Sequence, residues 1–448
     1  MRARLYGGLR TGKRRYVGMM VDKVGGRLGV PDGVMRGIAV AMTLMLPFFL
    51  LRGRAISDGF MTGIAVLFLL HCVRVRDRGW WRGWPVFALA FWGCAILSSV
   101  MHGTGHAVAE AFVLGRFLLF CVALERWVLR DGAARRWLGG AVTLAALWLV
   151  VECWQQYLLG TNLWGYPRWV DGALTGPFYK PRAGAALLMV VFPGLMVFAV
   201  RWLEAPAWRT RLAGVGLIMF LTLTMILIGQ RMPALLFGLG LVVMAVLIRR
   251  LRWPVLAAGL VGAVGLALLP VLSPPAYAKL VVRFMDQMQH FSDSAYGQIY
   301  IRAGVMLEDH PWLGVGVDGF RNACADPVYV RDLVLFGRTF ASRGVAVGCN
   351  IHPHNIYLDV ATTAGLVGLG CFLAMVACWL WRMIRALSPV QAPQQAMLCV
   401  TACVMLWPLA SSSALFTART AGWIFLMVGW GLAASADIAG ESRGDRRS

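Results

Sequence analysis

The chain has 448 residues, 59% of them hydrophobic and only 14% charged, with a formal net charge of +22. A soluble domain carries about 25% charged residues, so this composition excludes a water-soluble globular protein. The excess Lys and Arg recur in small groups between apolar runs rather than on one face or tail, which excludes a nucleic-acid surface and fits a polytopic membrane protein.

Residues 1–33 hold a run of basic residues from Arg2 to Arg27, against Asp22 and Asp32. The apolar run that follows begins near Val34, ends before Arg52 and offers no small-x-small cleavage site, so 1–33 reads as a cytoplasmic basic segment ahead of a retained first span. Crossing about 30 Å of hydrocarbon takes roughly 20 apolar residues. Such runs recur near 34–51, 57–73, 84–101, 108–128, 137–158, 183–203, 211–229, 232–248 and 253–273, then near 355–381, 394–411 and 415–435. Helices are expected, because a span in lipid must satisfy its own backbone hydrogen bonds. The expected fold is an all-α polytopic membrane protein of about 12 transmembrane helices with one large outer loop containing short helices. Helices 1–9 occupy 34–273, the loop 274–354, helices 10–12 occupy 355–435, and 436–448 is a tail whose last residues, from Glu441, read as disordered.

Counting Lys and Arg in alternate connections sets the orientation. With the N-terminus inside, the inner connections carry about twice as many as the outer ones, and most of the outer ones lie in the long loop, where the charge rule is weak. Both termini are therefore expected in the cytoplasm. The runs at 211–229 and 232–248 are parted only by Gly229-Gln230-Arg231-Met232-Pro233, which predicts a tight outer hairpin with an arginine at its tip.

The long loop opens on Ser273-Pro274-Pro275 and offers helical segments at about 277–291 and 296–309. In the second, Ile299, Ala303 and Met306 share a face and Arg302 is offset from it. Pro311-Trp312-Leu313-Gly314-Val315-Gly316 is a turn-rich stop. A loop this long is usually functional or disordered, and its aromatic residues and regular apolar spacing argue for order. Eight of ten cysteines (72, 94, 121, 153, 371, 378, 399 and 403) lie in or beside predicted spans, as small apolar fillers. Cys324 and Cys349 lie in the outer loop, where an oxidising compartment favours pairing. A disulfide between them would pin the backbone just before His352.

Ionisable residues inside spans are costly and face a partner or a cavity. Here they are Glu110, Arg116, Glu152 and Arg419. An Arg116–Glu152 bridge between adjacent spans is the structural expectation, whereas Arg419 closely follows an outer turn and could reach an outer cavity. Arg231 either snorkels to headgroups or joins Arg302, otherwise a solvated charge, in a bidentate clamp for phosphate or diphosphate.

The densest polar stretch is Cys349-Asn350-Ile351-His352-Pro353-His354-Asn355-Ile356-Tyr357-Leu358-Asp359. Histidine, with an ordinary pKa of about 6.5, suits proton transfer near neutrality. Four readings compete. Asn355 is a good helix N-cap, which makes part of the stretch structural. A His-x-His metal site could recruit Asp359, Asp309 or His310, but no further spacing completes a ligand set. A proton-coupled transporter would place its histidine or carboxylate near the midplane, on interrupted helices in matching halves, and no matching halves stand out. The fourth reading is a general base beside an anionic lipid-linked substrate.

The run His352–Leu358 followed by Ala364-Gly365-Leu366-Val367-Gly368 resembles the signature of the O-antigen ligase and O-antigen polymerase superfamily. So does Arg302 followed by His310-Pro311-Trp312-Leu313-Gly314-Val315-Gly316, and Gln230-Arg231 looks like the family's other arginine. The likeness runs over about 160–370 in motifs and over the whole chain in topology. It implies an inverting GT-C glycosyltransferase, independent of metal and cofactor, in the bacterial inner membrane with its site and long loop facing the periplasm. The implied donor is an undecaprenyl-diphosphate-linked glycan and the implied acceptor lipid A-core or another glycan. Membrane lipids are the surrounding partners, and nucleic acid has no part. His354 would be the base and Arg231 and Arg302 the diphosphate holders, with His352, Asn355, Arg419 and Arg182 as secondary candidates. Gly176-Pro177-Phe178-Tyr179-Lys180-Pro181-Arg182 stands where many members carry an Asn-Pro-Asn-like motif and has two cations in place of the amides. Ligation is the leading expectation and polymerisation its close rival. A secondary transporter, relying on Glu110 or Glu152 rather than His354, is the alternative of another class.

Overall fold

The computed structural model describes residues 31–411 and 413–444, with side chains through Ile438. Nearly all of the expected basic N-terminal segment and the last four residues of the expected tail lie outside the described residues. Ten helices are long and apolar enough to cross a membrane. They are α1 (Asp32–Arg52), α2 (Arg54–Val75), α3 (Trp84–His102), α4 (Gly105–Val128), α5 (Gly132–Leu159), α6 (Ala183–Glu204), α7 (Trp208–Leu227), α9 (Arg249–Leu272), α12 (Ile356–Arg385) and α14 (Ala418–Gly444). The protein is an all-α polytopic membrane protein.

Two of the twelve expected spans are helices too short for that test: α8 (Arg231–Leu247) has 17 residues and α13 (Pro393–Met405) has 13. At 1.5 Å per residue they are about 26 and 20 Å long. Helix α13 is sheathed by protein along almost its whole length, so its length need not match lipid. It unwinds ahead of Pro408, which cannot continue a helix. Helix α14 carries on through Gly444, so 441–444 are helical rather than the expected disordered tail.

The helices alternate direction. At one end, Arg52 Nη1 donates to Pro177 O (2.6 Å), Leu174 N to Ile228 O (3.0 Å), Val317 N to Ser99 Oγ (3.0 Å) and Asn355 Nδ2 to Pro408 O (2.7 Å). At the other, Arg36 Nε donates to Trp127 O (2.9 Å), Arg126 Nη1 to Gly79 O (2.9 Å), and Arg382 pairs with Glu125 (2.6 Å). Helices α6 and α14 run through the middle of the bundle. Edge-to-face contacts Trp84–Trp379 (5.3 Å) and Phe91–Phe372 (5.7 Å) join α3 to α12; such ring pairs are worth about 1 kcal/mol beyond their burial. The expected Arg116–Glu152 bridge does not form. Arg116 pairs instead with Asp58 on α2 (2.8 Å), while Glu152 accepts from Trp148 Nε1 and Leu163 N (3.0 and 3.1 Å). Packing turns the two side chains to different neighbours.

The long loop is folded. It begins with a helix over 274–289 (α10), which contains a π turn, followed by α11 (Ala295–Asp309), capped by Ser294. A two-stranded hairpin, β1 (Leu333–Leu335) with β2 (Arg338–Phe340), turns on Phe336 and Gly337 in left-handed conformations. Ile299, Ala303, Met306, Phe320 and Cys324 form a small core of the loop, with Leu358 of α12 packed against it. Cys324 and Cys349 are joined by a disulfide with Cα atoms 5.3 Å apart, inside the usual 4.4–6.8 Å span.

The 311–316 turn plugs into a break in α12. Gly365 stands at φ 65°, ψ −169° inside that helix, and the amide and carbonyls freed there are satisfied by the loop. Leu366 N donates to Pro311 O (2.7 Å), Val315 N to Thr362 O (2.7 Å) and Gly316 N to Thr363 O (3.1 Å). Gly314, at φ 68°, comes so near that a Cβ would lie 2.4 Å from Thr362 O. Two motifs distant in sequence thus make one joint, and it fixes the loop over the bundle end.

Candidate active site

The site is built at the loop end of the bundle, where the loop re-enters α12. Pro353 and His352 are buried, and His354 follows at φ 55° with its ring partly open. A left-handed backbone is uncommon for a non-glycine residue and is kept only where the surroundings fix it. Here the fixing is explicit. Asn355 caps α12, its Oδ1 accepting from Tyr357 N (2.9 Å) and Leu358 N (3.1 Å), while its Nδ2 donates to Pro408 O. Tyr357 OH donates to Leu406 O (2.6 Å), and Asp359 Oδ2 accepts from Leu415 N (2.9 Å). The turn between α13 and α14 therefore grips three residues just past the histidine.

The His354 ring lies 4.2 Å from that of His352 and 5.4 Å, edge to face, from Tyr296. Tyr300, one turn along α11, brings its hydroxyl beside the Asn355 side chain, and burial pushes its phenol above the ordinary value. The sequence reading missed both tyrosines. Their i, i+4 spacing on α11, a shared face, is the signal that could have found them.

The two expected anion-holding arginines differ. Arg231 opens α8 three residues after α7 ends, as the tight hairpin predicts, and is partly exposed. Its Nη1 donates to Gln287 Oε1 of α10 (2.8 Å), a partner no sequence signal marked. Its neighbour Gln230 is 9% exposed, and that amide nitrogen is buried without a hydrogen-bond acceptor among the described residues. Arg302 is instead 1% exposed. Its Nη1 donates to Cys324 O (2.7 Å) and its Nη2 to Gly344 O (3.2 Å), and burial lowers its pKa. It is neither the solvated charge of one reading nor an open arm of a clamp. The disulfide-closed segment folds over the flank of α11 that carries it. Gly348 keeps that passage roomy, since a Cβ there would stand 3.2 Å from Nη2 and press on the guanidinium.

Arg419 and Arg182 lie elsewhere on the same end. Arg419 Nη2 donates to Leu51 O (3.3 Å), and its guanidinium sits 5.3 Å over the Phe178 ring. Arg182 is exposed at the start of α6. The Gly176–Arg182 stretch is held from below, Asn162 Nδ2 donating to Gly176 O (2.6 Å) and Gln156 Oε1 accepting from Thr175 N (2.7 Å). Among the described residues no three His, Cys, Asp or Glu gather as a metal site.

Fold and site together define a helical membrane protein whose folded loop holds a histidine in a fixed turn, with an arginine at the tip of a neighbouring helical hairpin. Residues 215–373, roughly a third of the chain, match the family model described as O-antigen ligase. That match supports a place in the O-antigen ligase and polymerase superfamily, a family of enzymes of the glycosyltransferase kind. The match spans Arg231, Arg302, His352 and His354 and leaves out Arg182 and Arg419. No curated protein matches the chain.

Proposed function

We propose that the protein is an O-antigen ligase: it moves a glycan from an undecaprenyl-diphosphate-linked donor to lipid A-core, on the periplasmic face of the bacterial inner membrane. The observation that carries this reading is the placement, at the same end of the bundle, of His354 in its strained, partly open turn and of Arg231, whose guanidinium spends one nitrogen on Gln287. His354 takes the proton of the acceptor hydroxyl as that oxygen attacks the anomeric carbon, a contribution of typically 10²–10⁴-fold. The bond from the anomeric carbon to the diphosphate oxygen breaks on the opposite face, with inversion, and the leaving undecaprenyl diphosphate takes the electron pair. Arg231 stabilises the charge growing there. The buried Gln230 amide beside it supplies a further donor. Arg302 adds a permanent charge with no carboxylate bonded to it among the described residues, and it shapes the strand that leads to His352. Diphosphate is a good leaving group, so the step needs no metal.

The test is the purified full chain in lipid nanodiscs, given a synthetic lipid-linked donor and lipid A-core, with chelator present. Transfer should persist in chelator and vanish in His354→Asn. Full transfer by that variant would sink the reading, and product growing on the lipid-linked donor instead of on the core would make the protein a polymerase.

A further inference from the structure

Arg182 and Arg419 belong to a group that the transfer chemistry does not use. Arg419 has Arg182 and Arg54 close enough to oppose its charge. Arg52, two residues before Arg54, donates to Pro177 O and lays its guanidinium 4.0 Å over the Trp164 ring. Arg52 and Arg419 meet at Pro177 and Phe178, in the segment that ends at Arg182, and Arg54 follows Arg52 by two residues, so the four arginines gather at one end of the bundle. Among the described residues none of them pairs with a carboxylate. Acids are not scarce: Arg36, Arg116, Arg135, Arg250, Arg343 and Arg382 each pair with one, and Arg331 with two. Like charges gathered without an acid repel one another, and the planar guanidinium fork is matched to a phosphate's oxygens.

A groove leads away from this platform. It lies between α1 and α2, has a volume of about 710 Å³, and is floored by Ala55, Gly59 and Gly63 with Ile38, Met42 and Val66 beside them. It begins one residue after Arg54. From Ala55 to Val66 it descends about 16 Å at 1.5 Å per residue, close to half of a hydrocarbon core about 30 Å thick. That is the depth of one leaflet. The carboxylate in its wall, Asp58, is already paired with Arg116 (2.8 Å), so it does not repel an anion above.

We propose that the Arg52, Arg54, Arg182 and Arg419 platform and the α1–α2 groove form a docking site for an anionic phospholipid, its phosphate on the guanidinia and one acyl chain in the groove. The charge of the platform, the depth of the groove and their junction at Arg54 each select a different part of that ligand. Binding is read directly, so this proposal does not depend on the transferase reading.

The experiment is native mass spectrometry of the full chain in neutral detergent, with dioleoyl phosphatidylglycerol, dioleoyl phosphatidylcholine and water-soluble glycerol phosphate as probes. Wild type should retain phosphatidylglycerol about tenfold better than phosphatidylcholine and should retain glycerol phosphate poorly. Arg182→Gln/Arg419→Gln should abolish the preference. Arg54→Gln, at an exposed side chain, should weaken it severalfold without a folding penalty. Gly59→Phe fills open space, since a Cβ there meets nothing within 4 Å, and should cut phosphatidylglycerol retention while leaving its charge preference intact. The proposal is overturned if the arginine variants keep the wild-type preference. It is also overturned if Gly59→Phe binds as wild type does, or if glycerol phosphate competes as well as the lipid, which would make this a free-phosphate site.

Discussion

Replacing Gly365 by Ala tests how the loop is held to the bundle. The backbone there, φ 65° and ψ −169°, is a conformation essentially confined to glycine, and a side chain forced into it costs about 1–3 kcal/mol. A Cβ would also stand 2.2 Å from the carbonyl carbon and oxygen of Trp312, so the 311–316 turn must back away. That withdrawal endangers the bonds Leu366 N to Pro311 O, Val315 N to Thr362 O and Gly316 N to Thr363 O, worth about 1 kcal/mol each. Together the terms come to about 4–6 kcal/mol against docking. Gly370→Ala, further along the same helix and meeting nothing within 4 Å, is the matched control. The assay is hydrogen exchange of 311–317 together with limited proteolysis of the 274–354 loop. Gly365→Ala should exchange quickly and be nicked, while Gly370→Ala behaves as wild type. Equal protection in the two variants would refute the joint.

Four further outcomes are expected. His354→Asn, with a residue that tolerates the left-handed backbone, should lower kcat by 10²–10⁴-fold with no change in thermal stability. Arg231→Gln should weaken donor binding about tenfold and leave Tm alone, whereas Arg302→Met, which orphans a buried carbonyl at Cys324 and a half-buried one at Gly344, should cost about 2 kcal/mol of loop stability, visible as a lowered Tm before any kinetic effect. Cys324→Ser/Cys349→Ser should destabilise the loop by about 3.5 kcal/mol, from the chain entropy of a 25-residue closure, and reductant should produce the same shift only in the wild type. The fourth concerns pH. Burial, then the nearby His102, hold His310 below its ordinary value while Asp309 opposes them, and its Nε2 lies 2.9 Å from Tyr329 OH. The unfolded loop therefore binds more protons below a pH of about 6.5. Loop stability should be full above that pH and fall as the pH drops through the lowered value, and His310→Gln should flatten the slope in hydrogen exchange measured at several pH values.

The bundle is legible in the sequence because lipid imposes a single rule, long apolar runs with self-satisfied backbones; every run expected to be a span is a helix. The rule fails at α13, which is enclosed by protein and so is not held to bilayer thickness. The loop helices and the Ile299, Ala303, Met306 stripe follow from periodicity. Partners do not. Arg116 sits within reach of several acids on paper, and only packing selects Asp58. Arg302 looks solvated because the helix stripe leaves it out, yet the segment from Gly344 to Cys349 closes over it. The residue types of the site are readable at His354 and Arg231. Their neighbours Tyr296, Tyr300 and Gln287 are brought by tertiary contact alone.

The grip on the His354 turn carries a consequence for timing. Asn355, Tyr357 and Asp359 are held by partners 53, 49 and 56 residues downstream. At about 5–20 residues per second of synthesis, the histidine emerges several seconds before the groups that shape its turn. The loop core and its disulfide use only residues made earlier, whereas the turn waits for the segment that links the last two helices. A chain arrested before α13 would carry His354 without the contacts that shape its turn.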